Sequence, residues 1–495
     1  MYACSRAIFP CRFPRLTHTQ AILFGFASLL PSFLPWQKDG RADVDFLRRE
    51  FGDMEVPVVE CSSSEGYGEE KRTSMTLQEE DDEEEDDEEE EKEAAHKRAS
   101  DGGVGGKVLY LKDWHFQRLR REGGGGRREG SDAASAAAVE TPVFFDDDWL
   151  NWWCDRQGQD DYRFVYIGPS GSFTGLHHDV LNSFSWSFNV CGSKRWTLFP
   201  TEATPDLYDR HGRELAPDVR SGCTDPDKFP RLDTAPRLEV RQGAGEAIFV
   251  PSGWHHQVVN EGDGRPGGGG LTVSVNTNWF NGFNLARVFA FLRSELDAVR
   301  SALDHLRGSM SDGSGREWER QCEVVMRANS ALSLTEFARL VVARARLLLG
   351  DALAGLREAT HRGSGGAEGV PASASSSSAA AAATAAAAAA AAERWTVLSL
   401  QQVGAVLRQL SMTPCADHVF LGEGDGDGDN DHVEDRNRDR NESTAGGAPD
   451  GGRRETGDAQ AGKGAGAAGD GLRETLEAVE AYLSGRCQSR SPPSV

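Results

Sequence analysis

The sequence predicts an α+β protein in which a β-rich middle closes into a barrel and helices follow it. Three observations predict this. The middle of the chain carries short runs with period-two alternation, separated by Gly, Pro and Ser turns. The C-terminal part carries apolar residues at helical spacing instead. Two groups of metal-ligating residue types, His177-His178-Asp179 and Gly253-Trp254-His255-His256, lie about eighty residues apart, a gap that several strands must close.

Taken in order, the chain opens with Arg6, Arg12 and Arg15 ahead of the apolar run Ala21 to Leu34. That run resembles a signal or transit sequence and is too short to span a membrane, or it is the first helix, so residues 1–35 read as an extension. Residues 36–134 form an N-terminal region leading into the β-rich middle. They are interrupted by Glu79 to Glu93, which contributes −13 of the net charge of −24 and reads as a solvated, disordered insert. Residues 135–293 hold the barrel. Within them Ser183 to Val190 alternates small polar and apolar side chains, a strand with one polar face. A Gly192-Ser193 turn leads to the strand Lys194 to Pro200, and Ala247 to Gly253 is an apolar run ending in a Pro/Gly turn.

Helices follow. Leu285, Val288, Phe289, Leu292, Leu296 and Val299 share one helical face, as do Leu334, Phe337, Ala338, Val341, Ala345 and Leu348, giving a helical region to 350. Residues 351–393 read as a low-complexity linker whose polyalanine run has the propensity for a helix but no distinct face. Trp395, Val397, Leu398, Val403, Val406 and Leu407 mark a helical segment in 394–420. Leu472, Leu476, Val479 and Leu483 mark another in 472–486, across a disordered stretch at 421–471. These stripes are read as packing support. Gly123 to Gly130 and Gly267 to Gly270 are further low-complexity inserts.

In a strand, side chains alternate, so His177 and Asp179 share a face while His178 points to the other. The second group delivers His255 or His256, and parity does not choose between them. Two imidazoles and a carboxylate leave half an octahedron open, as a ferrous ion needs to bind a co-substrate and dioxygen together; zinc accepts the same ligands and is the rival ion. Lys194 opens a strand whose inner face is polar. There it would meet a small diacid, and at the hairpin end it would face water.

Several runs carry a resemblance. Tyr162 to Pro169, His177 to Pro200, Val250 to Val258 and Asn278 to Leu285 resemble the JmjC oxygenases, as do Phe51 to Val58, Leu109 to His115 and Asp209 to Gly212. The resemblance implies a double-stranded β-helix, the jelly-roll or cupin-like barrel, with Fe(II) as cofactor and 2-oxoglutarate and O2 as co-substrates. It implies His177, Asp179 and His256 as the catalytic iron ligands, since such enzymes carry Gly-Trp-Trp-His where this chain has Gly253-Trp254-His255-His256. It also implies Lys194, Thr174 and Tyr110 as holders of the far carboxylate of 2-oxoglutarate. Asn276 and Asn278 fall near the co-substrate by the same comparison, but an asparagine bonding its own sheet reads equally well, and they are not counted. The implied activity is hydroxylation of a lysyl side chain in a protein, the translation-termination release factor, in the cytoplasm. The alternatives are a JmjC lysine demethylase, a zinc-binding or inactive cupin-type binding module, and an organelle-targeted location if the N-terminus is a transit sequence.

Composition frames these expectations. Overall acidity argues against a broad nucleic-acid surface, and no membrane partner is expected. The nine cysteines, Cys4, Cys11, Cys61, Cys154, Cys191, Cys223, Cys322, Cys415 and Cys487, include no Cys-x-x-Cys pair and fit reduced thiols better than a zinc finger or a disulfide framework.

Overall fold

The alternating run Phe184–Cys191 sets the architecture. Its apolar members Trp186, Phe188 and Val190 are buried in one core cluster, while Ser185, Ser187 and Asn189 are buried on the opposite face. A polar face that is nonetheless buried must meet polar partners or a polar ligand, and the second sheet covers it. The structure is a computed structural model, and it describes residues 22–25, 35–61, 72–77, 108–121, 141–142, 145–262, 270–309, 315–364, 376–413 and 467–488. The acidic run Glu79 to Glu93 and the run Gly123 to Gly130 lie outside the described residues.

The strands are β1 (Ile22–Gly25), β2 (Gln37–Lys38), β3 (Arg41–Ala42), β4 (Glu55–Glu60), β5 (Arg72–Thr76), β6 (Leu109–Trp114), β7 (Arg163–Gly168), β8 (Phe173–His178), β9 (Phe184–Cys191), β10 (Ser193–Phe199), β11 (Leu238–Gln242), β12 (Glu246–Val250), β13 (His255–Gly262) and β14 (Thr272–Trp279). The large sheet runs β1-β12-β9-β14-β7-β6-β4-β5 and the small one β11-β10-β13-β8; β2 and β3 form a separate hairpin. All the recorded pairings are antiparallel. This is the expected jelly-roll barrel with α+β composition. The large sheet's apolar face is covered by Trp36, Leu47, Phe51 and Phe116. Between the sheets, Trp196, Leu198 and Val258 of the small sheet meet Ile248 and Val250 of the large one, filling one side of the lumen.

The helices are α1 (Val44–Phe51), α2 (Phe116–Arg121), α3 (Trp149–Gln157), α4 (Leu285–Leu303), α5 (Arg316–Ser330), α6 (Leu334–Ser364), α7 (Ser376–Ser411) and α8 (Ala467–Gln488). Every residue of the expected α4 stripe is buried, as is every residue of the α6 stripe. They join Trp149, Leu181 and Phe280 in a second core, which ties the bundle to the barrel. Asp148 starts α3 by accepting from Asn151 N at 2.9 Å, and Gly158 ends it in a left-handed conformation.

Four expectations differ. The run Ala21 to Leu34 contributes a strand, not a helix, within its described part: β1 pairs with β12, Ile22 opposite Phe249, and covers hydrogen-bonding groups that β12 would otherwise leave open at the sheet edge. Strands β4, β5 and β6 belong to the large sheet, so the sheet starts well before residue 135. Helix α6 continues past 350, and the polyalanine run is built into α7. Leu398 is exposed, because the buried stripe of α7 continues through Leu400 instead.

Candidate metal centre

The turn before β13 decides which histidine enters the lumen. Gly253 sits at φ +76°, a left-handed conformation that favours glycine, and it brings β13 back beside β8. The register then pairs His256 with His177 and His255 with His178. The first pair faces inward, with ring centroids 4.3 Å apart. The second faces outward, where His255 Nδ1 lies 3.3 Å from Thr204 Oγ1 and the His178 ring lies 6.0 Å from that of Phe291.

Asp179 follows β8 with extended backbone angles and joins the inward pair. The three ligand atoms of His177, Asp179 and His256 lie within 4.8 Å of one another, with His256 Nε2 4.0 Å from Asp179 Oδ1. Each imidazole is oriented through its other nitrogen: His177 Nδ1–H donates to Gly175 O at 2.8 Å and His256 Nδ1–H to Trp254 O at 3.3 Å. That leaves Nε2 of both as the free donor. Burial, with the charge of His256 beside it, pushes His177 down to about 4, and burial also lowers His256. Both rings are therefore neutral at pH 7, the form that ligates a metal.

The carboxylate is held just as firmly. Ser185 Oγ donates to Asp179 Oδ2 and Asn278 Nδ2 donates to Asp179 Oδ1, both at 2.8 Å; Asn278 Nδ2 also reaches Ser183 Oγ at 3.2 Å. Asn278 was not counted from sequence, yet it orients a ligand. Its signal was present in the alternation of β9, whose polar face needs polar neighbours on β14.

The lumen continues inward from the triad. Lys194 is opposite Asn260 across β10 and β13 and is 1% exposed. No carboxylate among the described residues pairs with it, and burial pushes its ammonium down to about 7. The Tyr110 hydroxyl faces the side chains of Asn260 and Thr174 and is held protonated by burial. Thr174 stands three residues before His177, so simple alternation would put the two on opposite faces. A register shift in the pairing of β13 with β8, between His256 and Val258, restores Thr174 to a place opposite Val258. On β9 and β14, Ser187 Oγ, Asn189 Oδ1, Ser274 Oγ and Asn276 Oδ1 are buried without a partner among the described residues. Such atoms are costly unless a polar ligand meets them.

The donor set fits a metal. Two imidazoles and one carboxylate brought together are the donor set of the facial non-haem iron sites, and His177, Asp179 and His256 would hold such an ion from one side. The buried cation and orphaned polar atoms beyond it fit an anionic, oxygen-rich co-substrate. The structure brings His177, Asp179 and His256 together, and it places Lys194, Thr174 and Tyr110 around Asn260 further along β13. The Asp209 to Gly212 motif is not among them: Asp209 Oδ1 accepts from the backbone of Arg213 and Glu214, shaping a turn.

Residues 21–285 match the cupin-like domain family. The chain belongs to that family. It is 41% identical over 314 residues to the human 2-oxoglutarate and iron-dependent oxygenase JMJD4, covering 63% of this chain and 66% of the relative. It is 32% identical over 315 residues to the Arabidopsis thaliana arginine-specific demethylase JMJ20, covering 61% and 59%. It is 35% identical over 157 residues to the Caenorhabditis briggsae bifunctional arginine demethylase and lysyl-hydroxylase psr-1, covering 30% and 37%. The JmjC resemblance read from the motifs holds at family level. The chain spans slightly under two thirds of the human relative's length, and less of the other two.

Proposed function

We propose that the chain is an Fe(II)- and 2-oxoglutarate-dependent oxygenase that hydroxylates a lysyl side chain of a protein, the translation-termination release factor, in the cytoplasm. The observation that carries the oxygenase reading is Lys194: a buried cation without a carboxylate partner among the described residues, on the strand that pairs with the one bearing His256 of a two-histidine, one-carboxylate triad. A zinc cupin or an inactive barrel has no use for that charge, whereas a dicarboxylic keto acid needs it. The lysyl target and the release factor rest on the motif resemblance, and the hydroxylase name of psr-1 agrees with the reaction.

On this reading His177, Asp179 and His256 hold the iron, which with 2-oxoglutarate and dioxygen supplies oxidative decarboxylation and transfer of one oxygen atom to an unactivated C–H bond. Ser185 and Asn278 fix the Asp179 carboxylate, so its ligating oxygen needs no reorganisation. Lys194, Thr174 and Tyr110 grip the far carboxylate. Trp196, whose ring lies 5.7 Å from that of His256, and Val258 keep that side of the cavity apolar and exclude water.

The test is mass spectrometry of a release-factor peptide incubated with the protein, ferrous ion, 2-oxoglutarate and oxygen. Gain of one oxygen atom on lysine supports the proposal. Loss of a methyl group from a methylated lysine or arginine peptide, with no oxygen gained, replaces it with demethylation, the activity in the names of JMJ20 and psr-1.

A further inference from the structure

Beside Lys194 stands a residue that the motifs did not single out. The Tyr166 ring of β7 lies with its centroid 5.4 Å from Lys194 Nζ and 6.0 Å from the ring of Tyr110. Its hydroxyl donates to Asp113 Oδ1 at 2.6 Å. Asp113 in turn holds Arg72 at 3.0 Å through Oδ2, and its backbone is at φ +63°, where few residues other than glycine sit. The pairing of β6 with β7 shifts register between Leu111 and Trp114, at this same place. The hydrogen bond ties the Tyr166 ring to β6 at the point where the β6–β7 register shifts.

The physical need is clear. A lysine ammonium taken out of water, with no carboxylate among the described residues to meet it, has to be solvated by other means. The face of an aromatic ring does this, and a tyrosine whose hydroxyl donates to a carboxylate has the more electron-rich face. The same contact leaves the ammonium unneutralised, so it remains available to a ligand.

We infer that Tyr166 is a positioning residue: locked by Asp113, its ring holds the Lys194 ammonium in place for the far carboxylate of a dicarboxylic keto acid. The inference rests on the proposed co-substrate pocket. It adds a selectivity consequence, since Tyr166 matters only to ligands that carry the second carboxylate.

The experiment measures dissociation constants by calorimetry, without oxygen, on the manganese-loaded full chain, for 2-oxoglutarate and for pyruvate, which lacks the far carboxylate. Tyr166→Leu is expected to weaken 2-oxoglutarate about tenfold and Tyr166→Phe roughly threefold, with pyruvate unchanged in both. Asp113→Asn, which keeps an acceptor and tolerates the left-handed backbone, should remain near wild type, while Asp113→Ala should follow Tyr166→Phe. Parallel loss of both ligands would mean a structural role and overturn the inference. So would unchanged 2-oxoglutarate affinity in Tyr166→Leu when Lys194→Met, measured alongside, has lost it. If Lys194→Met also binds 2-oxoglutarate normally, the pocket reading itself fails.

Discussion

Replacing Lys194 by methionine should stabilise the protein while removing its co-substrate grip. The lysine is 1% exposed, and burial pushes its pKa from 10.5 to about 7. At 1.36 kcal/mol per pKa unit, the buried charge costs folding roughly 4–5 kcal/mol at pH 7 and below, an upper bound. The sign follows from proton counts. Between about pH 7 and 10.5 the unfolded chain carries the proton and the folded one does not, so stability rises with pH across that window, and the penalty is gone above it. Methionine fills nearly the same volume without the charge. Urea unfolding of the metal-free proteins should therefore find Lys194→Met more stable by several kcal/mol at pH 7 and by little at pH 10.5. In the wild type, 2-oxoglutarate binding at pH 8 should take up close to one proton, because the carboxylate recharges the amine. Calorimetry in buffers of different ionisation enthalpy reads that uptake. A variant no more stable at pH 7, or a stability gap independent of pH, would refute the reasoning.

Three more outcomes follow from the geometry. His256→Ala should abolish turnover and metal binding, while His255→Ala should leave both within a few-fold, because its ring faces Thr204 and not the triad; equilibrium dialysis with ferrous or manganous ion checks this. Asn278→Ala removes the donor to Asp179 Oδ1 and should weaken metal affinity by about 10- to 100-fold, an effect that Ser185→Ala shares through Oδ2, read by metal titration. Gly168→Ala would drive a methyl group into the Tyr110 ring and Ser172 Oγ, so it should raise the KM for 2-oxoglutarate and cost about 1–3 kcal/mol of stability, measured by steady-state kinetics and thermal melting.

Much of the site was legible because the chemistry sits in local patterns. The spacing of His177 and Asp179 in a strand put both on one face, and they do share it. The alternation of Phe184–Cys191 announced a polar face, and Leu285 to Val299 and Leu334 to Leu348 announced their helices residue by residue. Where the readings departed from the structure, the missing quantity was pairing. The run Ala21 to Leu34 is apolar enough for helix, strand or leader, and only an available edge at β12 makes its Ile22–Gly25 a strand. Polyalanine has no distinct face of its own, yet it continues into a helix whose Leu400, Val403, Val406, Leu407 and Leu410 pack in the bundle core.

The sequence by itself determined the ligand types, the polar lining and the helical support, since these depend on side-chain chemistry and on periods of two and 3.6 residues. Residue spacing left His255 and His256 open and gave Thr174 the wrong parity, so His256 and Thr174 were named only through the family resemblance. The tertiary structure supplies the register that sets His256 opposite His177 and Thr174 opposite Val258, and it alone decided that Asn278 bonds Asp179 rather than its own sheet. The reason is register. Which residues of two strands stand opposite each other depends on turns and irregularities elsewhere, and a one-residue slip reverses every inward choice.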